Sequence, residues 1–208
     1  NLDRYSLFFP EKRTFFLENA GLFSVGENTY YGPDIEMFFS RNIGIGAGGE
    51  QVPILGGARL TGTLAGMKVG MLGMRTKAVE DVTNSNNYSV FRLRKELPNR
   101  TSFGFIATDR TGLEDDGYTN RAYAIDGTLG IGESTQLIGF AAKTDPPPGI
   151  DDDAGSYAYM LEANRNTQAF TTQIRYSEVG QDFNPEIGYV KRLGYKKVLL
   201  RILNRTRP

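Results

Sequence analysis

We predict an all-β fold of antiparallel up-and-down hairpins that form part of an outer-membrane β-barrel, on three observations. The composition, with 25 Gly, 11 Tyr and 13 Phe in 208 residues, favours strands and tight turns. Segments of about ten residues alternate apolar with polar side chains. The connections between these segments are short, then long, then short again, which is typical of outer-membrane barrels.

The predicted strands follow one another from residue 35 onward. Residues 35–208 are predicted as the strands of an incomplete barrel, and residues 1–34 as an N-terminal, non-barrel segment with aromatic and charged side chains. The strands are predicted at residues 35–41, 53–63, 67–77, 88–97, 101–110, 120–131, 135–144, 156–165, 168–178, 185–192 and 195–205. Each short turn joins two of them into a hairpin, the last being 185–192 with 195–205.

The length and number of these segments bear on the barrel prediction. About ten residues match the roughly 9–11 that a tilted membrane strand needs, whereas strands of globular proteins average nearer 5–6. Bacterial single-chain barrels have even strand numbers, and the number of predicted strands is odd. We therefore expect remaining barrel strands or another chain to cover an open edge at residues 195–205.

Alternation along the strands predicts a lipid-facing set and a lumen-facing set. The predicted lipid-facing residues are Phe103, Phe105, Tyr157, Tyr159, Leu161, Phe170, Ile174, Val198, Leu200 and Ile202. The predicted lumen-facing residues are Arg92, Arg94, Glu162, Gln173, Arg175 and Lys197. A half-buried sheet of a soluble protein produces the same period, so the alternation alone leaves both readings open.

The N-terminal segment is predicted as a plug or tether inside the barrel. Its charged residues Glu11, Arg13 and Glu18 are expected to pair with lumen charges such as Arg92 and Arg94. Pro10 followed by aromatic residues is consistent with a short helix.

Composition excludes several function classes. Because 24 Lys+Arg balance 24 Asp+Glu, no long-range attraction to nucleic acid is expected. With no His and no Cys, the chain has no imidazole triad, thiol nucleophile or His/Cys zinc site. No segment approaches the roughly 18 apolar residues of a membrane-spanning helix.

No cofactor and no catalytic residue are predicted. The acidic run Asp151, Asp152 and Asp153 has the oxygen ligands that Ca²⁺ prefers, but its spacing does not match an EF-hand loop. A solvated loop is the preferred reading, and Ca²⁺ is the alternative.

Four stretches of the chain resemble the DUF5916 family. These are RYSLFFPEKRTFFLENA at 4–20, FSRNIG at 39–44, PILGGARLTG at 53–62 and DFNPEIGYV at 182–190. In this family of uncharacterised bacterial proteins, a carbohydrate-binding family 9-like module commonly precedes a C-terminal region that is similar to an outer-membrane barrel. The resemblance implies the bacterial outer membrane as location, the lipid bilayer as partner and polysaccharide as a partner of a neighbouring module. It implies no defined activity.

Three function classes follow from the sequence. The first is an outer-membrane barrel that acts in pore or transport function, or as a membrane-anchoring scaffold for an attached glycan-binding module. The second is a soluble or surface-attached β-domain that binds polysaccharide. The third is a glycoside hydrolase with paired carboxylates, for which no distinctive motif is present.

Overall fold

The computed structural model describes residues 11–25, 34–46, 48–114, 118–145 and 155–205. In chain order the elements are α1 (Thr14–Leu17), α2 (Ala20–Phe23), β1 (Ile35–Glu36), a 3₁₀ turn (Ser40–Asn42), β2 (Ile54–Leu64), β3 (Met67–Thr76), β4 (Asn86–Leu97), β5 (Thr101–Gly112), β6 (Thr119–Ile131), β7 (Thr135–Asp145), β8 (Tyr157–Asn166), β9 (Phe170–Val179), β10 (Tyr189–Val190) and β11 (Tyr195–Asn204). The predicted all-β class is confirmed.

Nine of these strands form one antiparallel up-and-down sheet in the order β11-β9-β8-β7-β6-β5-β4-β3-β2. Within the described residues, β2 and β11 are the two edges and each pairs on one side. Short turns at one end of the sheet are residues 65–66, 98–100, 132–134 and 167–169, and long connections at the other end are 77–85, 113–118, 146–156 and 180–194. The alternation of short and long connections therefore holds along the whole sheet.

The predicted strand at residues 35–41 is wrong in most of its length. Only Ile35–Glu36 is a strand, and it pairs with Tyr189–Val190 outside the large sheet. The Arg13 guanidinium donates to the carbonyl oxygens of Ser40 and Ile43, both at 2.8 Å, where a 3₁₀ turn has replaced the strand. The large sheet thus begins at Ile54, and residues 35–41 lie outside it.

The predicted hairpin of residues 185–192 with 195–205 is also wrong. Strand β11 pairs along its whole length with β9 instead. Residues 185–188 form a turn, in which the Gly188 amide donates to the Pro185 carbonyl at 2.7 Å. The Asn42 side chain holds this turn by donating to the carbonyls of Glu186 and Gly188. Side-chain hydrogen bonds to the backbone therefore hold this segment in a turn, and it does not become a strand of the large sheet.

The hydrophobic core lies on one face of the large sheet. We call this the inward face, the opposite one the outward face, and residues 11–25, 34–43 and 182–190 the plug. One cluster of buried side chains joins the plug to the sheet: Phe16, Phe23, Ile35, Met37, Ile43, Phe183 and Ile187 come from the plug, and Leu72, Met74, Tyr88, Val90, Ile106, Ala122, Ala124, Ala142, Ala158 and Val179 from the strands. The sheet thus folds around segments of its own chain.

Candidate functional site

The polar side chains predicted to line a lumen share the inward face. Cross-strand partners in an antiparallel sheet lie on the same face. Arg92 is paired with Ile106, and Glu162 with both Ile138 and Arg175, so each shares a face with residues of the core. The same registers place Arg94, Gln173 and Lys197 on this face.

The side chains predicted to face lipid share the outward face. The registers place Phe103, Phe105, Tyr157, Tyr159, Leu161, Phe170, Ile174, Val198, Leu200 and Ile202 there. Many are well exposed, Val198 at 72% and Leu161 at 62%. Further exposed apolar side chains on this face are Leu60, Leu64, Met71, Leu97, Ile125, Leu129 and Ile131. An apolar band therefore crosses the outward face from β2 at one edge to β11 at the other.

Ion pairs border this band at its long-loop end. Arg121 pairs with Asp109 at 3.1 Å and Lys143 with Asp145 at 3.9 Å. All four side chains lie on the outward face, close to the long connections. The outward face therefore has two zones, with exposed apolar side chains in the middle of the sheet and ion pairs nearer the long connections.

Tyrosines gather around one carboxylate at the same border. The hydroxyls of Tyr157, Tyr159 and Tyr176 all donate to Glu178, at 2.7, 2.6 and 2.6 Å. Lys196 adds an ion pair to Glu178 at 3.1 Å. Three hydroxyls and one ammonium group thus surround a single carboxylate at the long-loop end of the outward face.

On the inward face, Arg92 is the main buried contact between plug and sheet. Its side chain is 0% exposed and forms an ion pair with Asp126 of β6. Its Nε donates to the Leu22 carbonyl at 3.0 Å and its Nη2 to the Ser24 carbonyl at 3.2 Å. One guanidinium thus connects β4 and β6 to the C-terminal end of α2, and the Asp126 carboxylate compensates its charge.

Glycines on the inward face make these contacts sterically possible. A Cβ on Gly104 would lie 2.7 Å from Nη1 of Arg92 and 2.9 Å from Oδ1 of Asp126, so the ion pair crosses β5 over a missing side chain. A Cβ on Gly70 would lie 2.9 Å from both Leu22 Cδ2 and Phe23 Cζ. The plug therefore packs directly on the backbone of β3.

The predicted plug charges pair differently from the expectation. Glu18 pairs with Arg59 of β2, which also donates to the Glu18 carbonyl at 2.6 Å. Glu11 pairs with Arg13 at 2.6 Å. Arg92 and Arg94, the expected partners, are engaged elsewhere. The reason is the strand register, because it places Asp126 on the same face as Arg92 and close enough to form the ion pair with it.

Two plug carboxyls have perturbed pKa values of opposite sign. Burial alone would raise the pKa of Glu11, but hydrogen bonds from the Arg13 guanidinium, the Ser40 hydroxyl and two backbone amides outweigh it and lower the pKa to about 2. Burial raises the pKa of Glu36 to about 7. The plug thus contains one carboxylate that is stabilised in its charged form and one that is not.

A second network holds residues 184–188 to the long-loop end of the sheet. Arg110 donates to Glu186 at 3.0 Å and to Asn86 at 3.1 Å, and the Tyr118 hydroxyl also donates to Glu186. Asn120 donates to the Asn184 carbonyl at 3.0 Å. These polar groups are satisfied by one another, so the network fixes the plug.

The other predicted inward residues form smaller contacts. Glu162 and Arg175 are a buried ion pair. Lys197 pairs with Asp34 of the plug at 3.3 Å. Arg94 contacts Ser102 at 3.4 Å, while its Nε is buried without a hydrogen-bond partner in the described part of the chain.

Sequence reasoning missed Asp126, Arg59 and the glycines opposite the plug. Asp126 is a charged residue in the middle of a strand, and alternation from Asn120 places it on the polar face. That signal was available. The partnership with Arg92 was not, because it requires the register of three strands.

No helix of the described ranges is long and apolar enough to cross a membrane. The described residues likewise contain no group of three or more carboxylate, His or Cys side chains placed to bind a metal. The Ca²⁺ alternative at Asp151, Asp152 and Asp153 lies outside the described residues.

Comparisons of the chain with family models, curated proteins and solved structures return no match. The resemblance to DUF5916 therefore stays a prediction.

Proposed function

We propose that this chain contributes wall strands and an internal plug to an outer-membrane β-barrel, and that it serves as a closed membrane-anchoring scaffold. The observation that supports this most is the contrast between the faces of one sheet. The outward face exposes a continuous apolar band, and the inward face carries the charged groups and the core.

The apolar band favours a bilayer over water as the surroundings of the outward face. Soluble monomers rarely expose contiguous apolar patches of more than a few hundred Å². Here exposed Leu, Ile, Val and Phe side chains extend across the sheet with a charged border at one end. Strands of ten or more residues also suit a tilted membrane crossing.

The plug favours a closed interior. Phe16 and Phe23 are buried in the same cluster as strand residues, and Arg92 has no exposed surface. Opening the interior would expose this core and break a buried ion pair, which costs several kcal/mol. A static plug suits a scaffold that holds an attached module at the cell surface.

A second candidate is a transport barrel that the plug closes in its resting state. A buried polar atom without a hydrogen-bond partner among the described residues favours it, namely Asn164 Oδ1 near the short-turn end. Such atoms are usually satisfied by water, as in a polar passage.

The two candidates separate in an experiment on the full coding sequence in its native host. Membrane fractionation comes first: we expect the protein in the outer-membrane fraction, released by detergent and with a β-type circular dichroism spectrum. Release by salt or alkali without detergent would overturn the barrel proposal. Planar-bilayer conductance then decides between scaffold and transport, because a scaffold stays silent in the wild type and in Arg92→Met, whereas a plugged pore conducts once the plug is loosened.

A further inference from the structure

The outward face contains an apolar groove of about 570 Å³ across β2 to β6. Its floor consists of small side chains in one row. Ala58 is the cross-strand partner of Gly73, and Gly73 is the partner of Ser89. Because the side chains of this row are small, the surface is concave there.

The next row forms a wall of the groove. Leu60 is paired with Met71, and Met71 with Phe91. Tyr123 closes the row on β6, opposite Ala107. Long, flexible or aromatic apolar side chains beside a floor of small ones match the cross-section of a hydrocarbon chain.

Charged residues border the groove at its β6 end and on the side of the long connections. The row of Gly73 and Ser89 continues into Asp109 and Arg121, which form the ion pair at 3.1 Å. Arg75 follows Gly73 by two residues on the same face, about 7 Å further along the strand.

Arg75 differs from the other cations of this border. Arg121, Lys143 and Lys196 each have a carboxylate within 4.0 Å. Arg75 is exposed, and among the described residues it has neither an ion pair nor a hydrogen bond through its side chain. An apolar groove thus ends beside a guanidinium without a counter-ion.

We propose that this groove binds an anionic, phosphate-headed lipid of the bilayer leaflet that lies next to the long connections. One acyl chain lies over the small residues, and the headgroup phosphate is held by Arg75. A guanidinium presents paired donors that match phosphate oxygens. The proposal rests on the proposed function, because it requires the outward face to lie in a bilayer.

The absence of Trp from the 208 residues allows a direct test. Phe91→Trp places one fluorescent side chain in the groove wall of the full chain, reconstituted in phosphatidylcholine vesicles. Quenching is compared for brominated phosphatidylglycerol and brominated phosphatidylcholine. We expect about a fivefold preference for phosphatidylglycerol, the effect of one cation near a headgroup. Arg75→Gln in the same background should lower it to near one.

Two controls make the outcome specific. Arg165→Gln removes an exposed outward cation at the short-turn end of β8 and should leave the preference unchanged. Leu161→Trp reports on the outward face away from the groove and should show quenching without preference. Met71→Trp replaces Phe91→Trp if that variant fails to give a β-type spectrum.

The failures of the two proposals are distinguishable. Absence of quenching at both Trp positions would overturn the bilayer location and the lipid site together. Quenching at both positions without a preference at Phe91→Trp, or with a preference that persists in Arg75→Gln, would overturn the lipid site alone.

Discussion

The two faces of the nine-stranded sheet are built from the same strands and differ in how their side chains are satisfied. On the inward face each main charge has a specific partner: Arg92 has Asp126, Arg175 has Glu162, and Arg59 has Glu18. On the outward face, apolar side chains such as Leu161 are exposed. The inward face thus pairs its main charges within the described residues, whereas the outward face leaves large apolar side chains exposed, which is what the proposed bilayer surroundings would accommodate.

This contrast predicts that equivalent substitutions have different effects on the two faces. Loss of a group on the inward face should expose an unpaired charge or a cavity. On the outward face, truncation of a side chain should lower the free energy of unfolding only slightly, whereas an introduced charge should lower it strongly.

Removal of the buried arginine should have the largest effect. Arg92→Met leaves Asp126 charged and 9% exposed without its partner, together with two carbonyls of the plug. We expect the free energy of unfolding to fall by about 3–5 kcal/mol. Chemical unfolding in detergent, followed by circular dichroism, measures it. The double variant Arg92→Met with Asp126→Leu should recover part of the loss, and a double variant as unstable as the sum of both singles would contradict this reading.

A charge in the middle of the apolar band should come next. Leu161→Arg should lower the free energy of unfolding in a bilayer by about 2–4 kcal/mol, because the guanidinium would lie in hydrocarbon. Thr119→Arg, on the outward face at the long-loop end of β6, is the matched control and should cost about 0–1 kcal/mol. Equal and small effects at both positions would indicate that the outward face is in water.

A methyl group beneath the plug should have an intermediate effect. Gly70→Ala pushes Leu22 and Phe23 away from β3. We expect the free energy of unfolding to fall by about 1–3 kcal/mol and the plug to be proteolysed faster. Gly62→Ala on the outward face of β2 meets no atom within 4 Å and should be neutral or slightly stabilising. If both variants unfold at the wild-type midpoint, the plug does not pack on β3 as described.

The smallest expected effect is the loss of the stabilising contribution of Glu11 at low pH. The pKa of Glu11 is lowered to about 2 from an ordinary value of 4.5, so its contribution is complete above pH 4.5 and is lost as the pH falls toward 2. Because Arg13 is partly exposed, we expect this contribution to be about 1–2 kcal/mol. The difference in stability between wild type and Glu11→Gln should therefore shrink between pH 5 and pH 2. A difference that stays constant over this range would exclude Glu11 as the cause.

Much of the fold could be predicted from period-two alternation, which needs no knowledge of strand partners. Arg92 and Arg94 on one strand, and Tyr159 and Leu161 on another, were assigned to opposite faces because successive side chains alternate. The short and long connections likewise appear in the spacing of turn residues such as Ala65 and Gly66.

The errors arise where pairing is decided at a distance. Tyr189 and Val190 are good strand residues, so the sequence favoured a hairpin with residues 195–205. The structure instead ties this segment to Asn42 and Asn120, which are remote in sequence. The partner of Arg92 was missed for the same reason, since only the combined registers of β4, β5 and β6 place Asp126 diagonally across β5 from it.

Cysteine scanning of β8 tests the contrast between the faces most directly, because the chain has no Cys of its own. Single-Cys variants at positions 159 to 163, reconstituted in nanodiscs, are treated with a water-soluble and with a lipid-soluble maleimide. Gln168→Cys in the adjoining turn serves as the water-exposed control.

We expect positions 159, 161 and 163 to react with the lipid-soluble reagent and to be protected from the water-soluble one, with positions 160 and 162 slow toward both. Labelling of 159, 161 and 163 by the water-soluble reagent as fast as at position 168 would contradict a lipid-facing outward surface.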